Sequence, residues 1–225
     1  MCIASSDITG LILAGGRGSR MGGVDKGLQL FNGIPLVEHA LHRLTPQVGC
    51  VAINANRNLA AYRDLGLAVW SDEEETSFNG PLSGFLSALT HATTPYILTV
   101  ACDTPLFPSD LAQRLGEALC QASAENQNAR MAMAVAPDLE DENAKSNETS
   151  SATLKPQPTF CLMSTELRHS LRQFMQQGGR KIGAWAAQQA CVQVAFNMPH
   201  DLPQAFTNLN TLQELQALES KLNRI

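Results

Sequence analysis

Seven short aliphatic or β-branched runs recur along the chain, separated by stretches of helical periodicity. This alternation constrains the fold more than any other feature. The runs are Ile8–Ala14, Cys50–Asn54, Leu67–Ser71, Tyr96–Cys102, Met131–Ala136, Thr159–Met163 and Cys191–Phe196. Most are near-continuous apolar segments of the kind buried on both faces of a parallel sheet. Between them, Leu82, Phe85, Leu86 and Leu89 follow the i, i+3, i+4, i+7 template of an amphipathic helix. Leu111, Leu115 and Leu119 fall one turn apart after Pro108, a residue suited to a helix start. Thr211 and Glu214 fit a capping box that opens a last helix running through Leu222. The pattern predicts an α/β fold, a three-layer sandwich around a mostly parallel sheet. Residues 1–225 read as one domain, and the 44% hydrophobic content suffices for its core. Only 138–155 breaks the pattern: it is acidic and rich in Ser, Thr and Asn, and is expected to be a disordered surface loop.

The formal net charge is -5, so the chain as a whole has no electrostatic reason to bind nucleic acid or an anionic membrane surface. A polyanionic ligand would have to be met by a local positive cluster. No window approaches the ~20 apolar residues needed to span a bilayer. Met1 to Gly10 carry no Lys or Arg and no long apolar stretch, so no secretory signal is expected. The six cysteines show no C-x-x-C spacing. Cys50, Cys102, Cys161 and Cys191 lie in or beside apolar runs, where a free thiol packs as a small hydrophobe. These readings point to a reduced, cytoplasmic location.

The local positive cluster follows the first apolar run. Leu11 to Ala14 lead into a turn containing Gly15, Gly16, Gly18, Gly22 and Gly23, with Arg17, Arg20 and Lys26 against a single acid, Asp25. Glycines let the backbone approach a ligand closely, so that successive N–H groups converge on phosphate oxygens. Two familiar phosphate loops do not fit. The dinucleotide fingerprint beginning at Gly16 and Gly18 would need a third glycine where Met21 stands, and a Walker A loop would need glycine where Asp25 precedes Lys26.

What fits is the pattern L-A-G-G-x-x-x-R-M-G-x-D-K, here Leu13-Ala14-Gly15-Gly16, then Arg20-Met21-Gly22-Gly23, then Asp25-Lys26. On these residues the chain resembles the nucleotidyltransferases that modify molybdopterin, and within them the guanylyl-transferring branch. The resemblance implies a Rossmann-like nucleotidyltransferase fold and transfer of GMP from GTP to molybdenum-molybdopterin. The products would be molybdopterin guanine dinucleotide and pyrophosphate, with Mg²⁺ as the cofactor. It also implies contacts with molybdoenzyme-specific chaperones or cofactor-insertion proteins.

Later features agree in order. Asn54 ends one apolar run and Asp72 follows another, both at the carboxyl ends of expected strands, where ligands bind in open parallel sheets. Gly80-Pro81-Leu82-Ser83-Gly84 precedes the helix of Leu82–Leu89 and can bring backbone close to a nucleoside. Asp103 ends the run from Tyr96; as a hard oxygen ligand it suits Mg²⁺, and equally it could open the turn with Thr104-Pro105. Asp72 begins an acidic run that could simply be solvated. The resemblance assigns catalysis to Arg20, Lys26 and Asp103, with the metal on Asp103. It assigns nucleotide binding to Leu13, Ala14, Gly15, Gly16, Lys26, Asn54, Asp72, Gly80, Pro81, Leu82 and Asp103. Acceptor binding falls to Gly23, Gly84, Arg180, Lys181, Asn208 and Asn210; on the residues alone, those last four read equally as solvated charges and turn amides. Gln157-Pro158-Thr159 departs from the family, which often has His before Pro-Thr. Remaining alternatives are a cytidylyltransferase on the same pterin, a sugar-phosphate nucleotidylyltransferase, a non-catalytic nucleotide-binding subunit and a dinucleotide-dependent oxidoreductase. The five histidines form no ligand spacing.

Overall fold

All seven expected strands form, and they share one sheet. The structure of the protein, a computed structural model, describes residues 3–14, 24–72, 80–125, 128–138 and 153–222. Gly15, Gly16, Arg17, Gly18, Arg20, Met21, Gly22 and Gly23, and residues 139–152 of the expected loop, lie outside the described residues. In chain order the strands are β1 (Ile8–Leu13), β2 (Leu30–Phe31), β3 (Ile34–Pro35), β4 (Cys50–Asn54), β5 (Ala68–Trp70), β6 (Tyr96–Ala101), β7 (Met131–Pro137), β8 (Leu154–Ser164) and β9 (Val192–Ala195). The helices are α1 (Leu36–Leu44), α2 (Leu59–Arg63), α3 (Pro81–His91), α4 (Leu111–Ala124), α5 (Arg168–Gln176), α6 (Ile182–Ala186) and α7 (Leu212–Leu222).

The main sheet has the order β5-β4-β1-β6-β8-β7-β9. From β5 to β6 every pairing is parallel, and β9 is parallel to β7. β8 alone runs antiparallel, to both β6 and β7. It begins five residues before the expected Thr159, at Leu154. Pro156 and Pro158 hide this extension in the sequence, because proline removes ladder donors. The structure accommodates them where β8 pairs only with β7, beyond an irregularity between Met133 and Val135. Asp138 N–H donates to Thr153 O at 3.1 Å, and Lys155 pairs with Asp138. The described ends of the expected loop therefore belong to the stem of the β7–β8 connection.

Alternating side chains send the sheet's apolar residues to two faces. On one, Ile8, Ile12, Ile53, Leu98 and Val100 pack with Val37, Ala40 and Leu44 of α1 and with Leu111, Leu115 and Leu119 of α4. On the other, Leu11, Ala52 and Ile97 pack with Leu82, Phe85, Leu86 and Leu89 of α3, Leu171 and Met175 of α5, and Trp185 of α6. The helix–sheet–helix sandwich is thus the predicted one. Both expected capping bonds of α7 are present: Glu214 N–H donates to Thr211 Oγ1 and Thr211 N–H to Glu214 Oε2, each at 3.1 Å. Cys102 and Cys161 are buried as expected, whereas Cys50 is exposed because it opens β4 at the sheet's margin.

Two features place the site. Chain order runs from β1 outward to β4 on one side and to β6 on the other, which makes the carboxyl end of β1 a topological switch point, where a crevice opens. Register then aligns the neighbours. Leu13 lies opposite Asn54 and Ala101, and Asn54 opposite Trp70, so Ala14, Asn54, Asp72 and Asp103 emerge along one rim.

Candidate functional site

At this rim β1, β4 and β6 are joined beyond their ladders: Ala14 N–H donates to Asn54 O at 2.9 Å and Cys102 N–H to Leu13 O at 3.2 Å. The backbone after β1 is thereby fixed through Ala14. The chain re-enters the described structure at Val24, and Lys26 opens a short 3₁₀ turn over Lys26–Leu28, capped by the Asp25 carboxylate through Gly27 N–H at 3.2 Å.

Two groups of side chains stand on the rim. In the first, Lys26 Nζ donates to Asp103 Oδ2 at 3.0 Å and to Asn210 Oδ1 at 2.6 Å. The segment before α7 is held against this group: Leu209 N–H donates to Asp103 O at 2.8 Å, and Thr104 Oγ1 donates to Asn208 Oδ1 at 2.7 Å. Residues separated by 184 positions thus meet on one ammonium. The Lys26 and Asp103 side chains keep 23% and 18% of their surface exposed, so the pair is open to a ligand. Asn208 and Asn210, expected on the acceptor side, stand beside the residues expected to meet the nucleotide.

In the second group Asp72 is clamped from both sides. Its Oδ1 accepts from Asn54 Nδ2 at 2.9 Å and its Oδ2 from Asn56 Nδ2 at 2.8 Å, while its own N–H donates to Asn56 Oδ1 at 2.8 Å. Asn54 Nδ2 also donates to Trp70 O at 3.0 Å, which commits both hydrogens of a buried amide. Asn54 therefore orients Asp72 from within the protein. Asn56 escapes the sequence reading. Its position two residues beyond Asn54, just past the strand end, was the one available signal.

The first turn of α3 approaches the same rim. Gly80 has φ +63° and ψ −143°, a conformation reserved for glycine, and Pro81 follows at the helix start. Leu82 is fully buried in the core, so only its backbone can serve a ligand. A Cβ on Gly84 would stand 2.5 Å from Asn54 Oδ1 and 2.7 Å from Leu13 Cδ2. Gly84 is what allows α3 to lie on the ends of β1 and β4. Arg180 and Lys181 come from another part of the chain, the turn before α6, on the layer shared with α3 and α5.

Chemically, the rim offers one lysine, oxygen donors from Asp103 and Asn210, and a fixed carboxylate at Asp72. Among the described residues no group of three or more His, Cys, Asp or Glu gathers as a metal site. Burial pushes the Cys102 thiol well above its ordinary range, helped by the neighbouring Asp103 charge, so it is no nucleophile. His39 bonds Phe31 O at 2.7 Å and packs on that ring, away from the rim. The arrangement suits electrostatic handling of phosphates, not covalent catalysis.

Similarity to known proteins agrees with this chemistry. The model of the MobA-like NTP transferase domain matches residues 10–193. The molybdenum cofactor guanylyltransferase of Acidovorax ebreus is 55% identical, covering 96% of this chain and 97% of its own length. That of Ralstonia nicotianae is 52% identical over 97% and 99%. Among solved structures, molybdopterin-guanine dinucleotide biosynthesis protein A from Archaeoglobus fulgidus superimposes with a TM-score of 0.68, covering 96% of this chain and 100% of that one. At 18% identity this likeness speaks for the fold alone. With a family match across most of its length and near-full-length relatives sharing half its residues, the chain belongs to the MobA-like NTP transferase family, whose chemistry is nucleotidyl transfer.

Proposed function

We propose that this chain transfers GMP from GTP to molybdenum-molybdopterin, forming molybdopterin guanine dinucleotide and releasing pyrophosphate. The observation that carries the reading is the Lys26–Asp103–Asn210 cluster at the switch point of the sheet, where the glycine-rich segment rejoins the described structure. The names of the relatives agree with it.

In this reading the triphosphate lies over residues 15–23, whose N–H groups and Arg20 meet its oxygens, with Leu13, Ala14, Gly15 and Gly16 at the nucleoside end. Lys26 offsets charge growing on the departing pyrophosphate. The preset Asp72 carboxylate, with backbone from Gly80, Pro81 and Leu82, faces the base; guanine presents N1–H and N2–H₂ donors that a fixed acceptor can read. The acceptor's terminal phosphate attacks the α-phosphorus in line. It is already ionised, so no general base is required, and positioning with charge stabilisation supplies the catalysis. Gly23, Arg180 and Lys181 are assigned to the acceptor.

A divalent ion fits the rim. Asp103 Oδ2 and Asn210 Oδ1 already converge on one cation, the Lys26 ammonium. One carboxylate with phosphates and waters is the donor set Mg²⁺ favours. When bound there, the ion would supply neutralisation of phosphate charge. Cytoplasmic residence extends the reading: the five described cysteines are free thiols, and no described helix is long and apolar enough to cross a membrane. Hand-over of the product to molybdoenzyme-specific chaperones or cofactor-insertion proteins belongs to the same reading.

The test is mass spectrometry of the products formed from an equimolar NTP pool, Mg²⁺, molybdenum-molybdopterin and a sugar 1-phosphate as competing acceptor. The expected product carries GMP. A cytidine dinucleotide would overturn the guanylyl reading, and NMP transfer to a sugar phosphate alone would overturn the acceptor.

A further inference from the structure

Asp25 is a carboxylate that the proposed reaction does not use, yet it is only 6% exposed and is surrounded by donors. Its Oδ1 accepts from the Tyr62 hydroxyl at 2.6 Å and from Gly27 N–H at 3.2 Å. Its Oδ2 accepts from Asn58 Nδ2 at 2.9 Å, with Arg57 Nε at 3.8 Å. The same Arg57 donates to Val24 O at 3.1 Å. Asn58 is the N-cap of α2 and Tyr62 lies within that helix, so this carboxylate rivets the end of the glycine-rich segment to a different element. Tyr62 is fully buried and cannot swing away. Gly27 lies so close that a Cβ there would stand 2.5 Å from the Tyr62 hydroxyl oxygen. Burial, joined by the Asp25 hydrogen bond, pushes the Tyr62 ionisation far above its ordinary value, so the phenol stays a donor.

The residue between the riveted pair, Asp25 and Gly27, is Lys26. Its ammonium sits on a long, flexible side chain, and it can meet one point on a phosphate chain only if its Cα is fixed. We infer that the Tyr62–Asp25–Asn58 bonds form a lock that sets the Lys26 ammonium for transfer, making these three positioning residues that act through Lys26. The inference rests on the reading that Lys26 serves the triphosphate.

The test is a double-mutant cycle on the full chain, following pyrophosphate release from GTP with Mg²⁺ and molybdenum-molybdopterin, with melting temperatures alongside. Tyr62→Phe keeps the ring and removes one bond. It should lower kcat about tenfold while leaving KM for GTP nearly unchanged, since small misplacements of a catalytic group are costly. In a Lys26→Ala background the same change should have no further effect, because residues acting through one group are non-additive. Should Tyr62→Phe not melt cooperatively, Asn58→Gly runs the same cycle: it removes the Oδ2 donor and tolerates the φ of +51° found there. An unchanged kcat in the single variant, or losses that multiply independently in the double, would overturn the lock. A Lys26→Ala protein with the wild-type rate would fail differently, overturning the role of Lys26 and the lock with it.

Discussion

Replacing Gly84 with alanine tests how tightly the nucleotide side of the rim is built. Gly→Ala within an exposed helix ordinarily stabilises by about 1 kcal/mol. Here the new methyl would stand 2.5 Å from Asn54 Oδ1 and 2.7 Å from Leu13 Cδ2. Comfortable carbon contacts begin near ~3.5 Å, so the shortfall is about 1 Å at each. Leu13 is half-buried and can rotate. Asn54 cannot do so freely, since its amide holds Trp70 O and Asp72 Oδ1. Overpacking of this kind costs roughly 1–3 kcal/mol, which exceeds or cancels the helical gain and leaves a net loss of about 0–2 kcal/mol. For a chain of this size that is a fall in Tm of up to about 8 °C. The kinetic signature is more specific. Displacing Asn54 loosens Asp72, so KM for GTP should rise about tenfold or more, on the order of one lost charge-assisted hydrogen bond, while KM for the acceptor stays put. Steady-state kinetics varying each substrate, with a thermal melt, would decide. A variant more stable than wild type with unchanged KM for GTP would refute the reasoning, and a rise confined to the acceptor KM would keep Gly84 with the acceptor, where the resemblance assigned it.

Two further outcomes follow from the C-terminal segment. Thr211→Ala removes one half of the capping box of α7 and should destabilise by about 0.5–2 kcal/mol; an unchanged denaturant midpoint would contradict that. For Asp201, burial raises the carboxyl's pKa, but hydrogen bonds from Arg114 and from Met198 N–H outweigh it, so the pKa lies below the ordinary 3.8. A carboxyl lowered in the folded state stabilises above its unfolded pKa and stops doing so as pH falls through the folded value. The Tm difference between wild type and Asp201→Asn should therefore be steady from about pH 7 to 5 and shrink below about pH 4. A difference that persists unchanged into strong acid would contradict it.

The sheet was legible because each strand is a dense apolar run with few breaks, α3 and α4 because their apolar residues keep helical spacing, and α7 because Thr211 and Glu214 spell its cap. The β2–β3 hairpin was legible too and passed over: Asn32-Gly33, with φ of +50° and +78°, is the two-residue turn such hairpins prefer. The short helices α2 and α6 carry too few residues for periodicity to speak. At the site, strand-end positions pointed to Asn54, Asp72 and Asp103, and the structure sets them on one rim. What could not be read was who holds whom. That Asn54 turns inward to fix Asp72, that Asn210 reaches Lys26 across 184 positions, and that Tyr62 grips Asp25 are outcomes of tertiary packing between distant segments. Pattern within one segment carries no record of them.

The central claim is that Lys26 and Asp103 together handle the charge of a triphosphate. Pyrophosphate release by folded Lys26→Ala and Asp103→Asn, compared with wild type at saturating GTP and Mg²⁺, tests it most directly. Each variant should lose turnover by a factor on the order of 10² or more, as for removal of a charge-stabilising group. Rates near wild type in both would contradict the account.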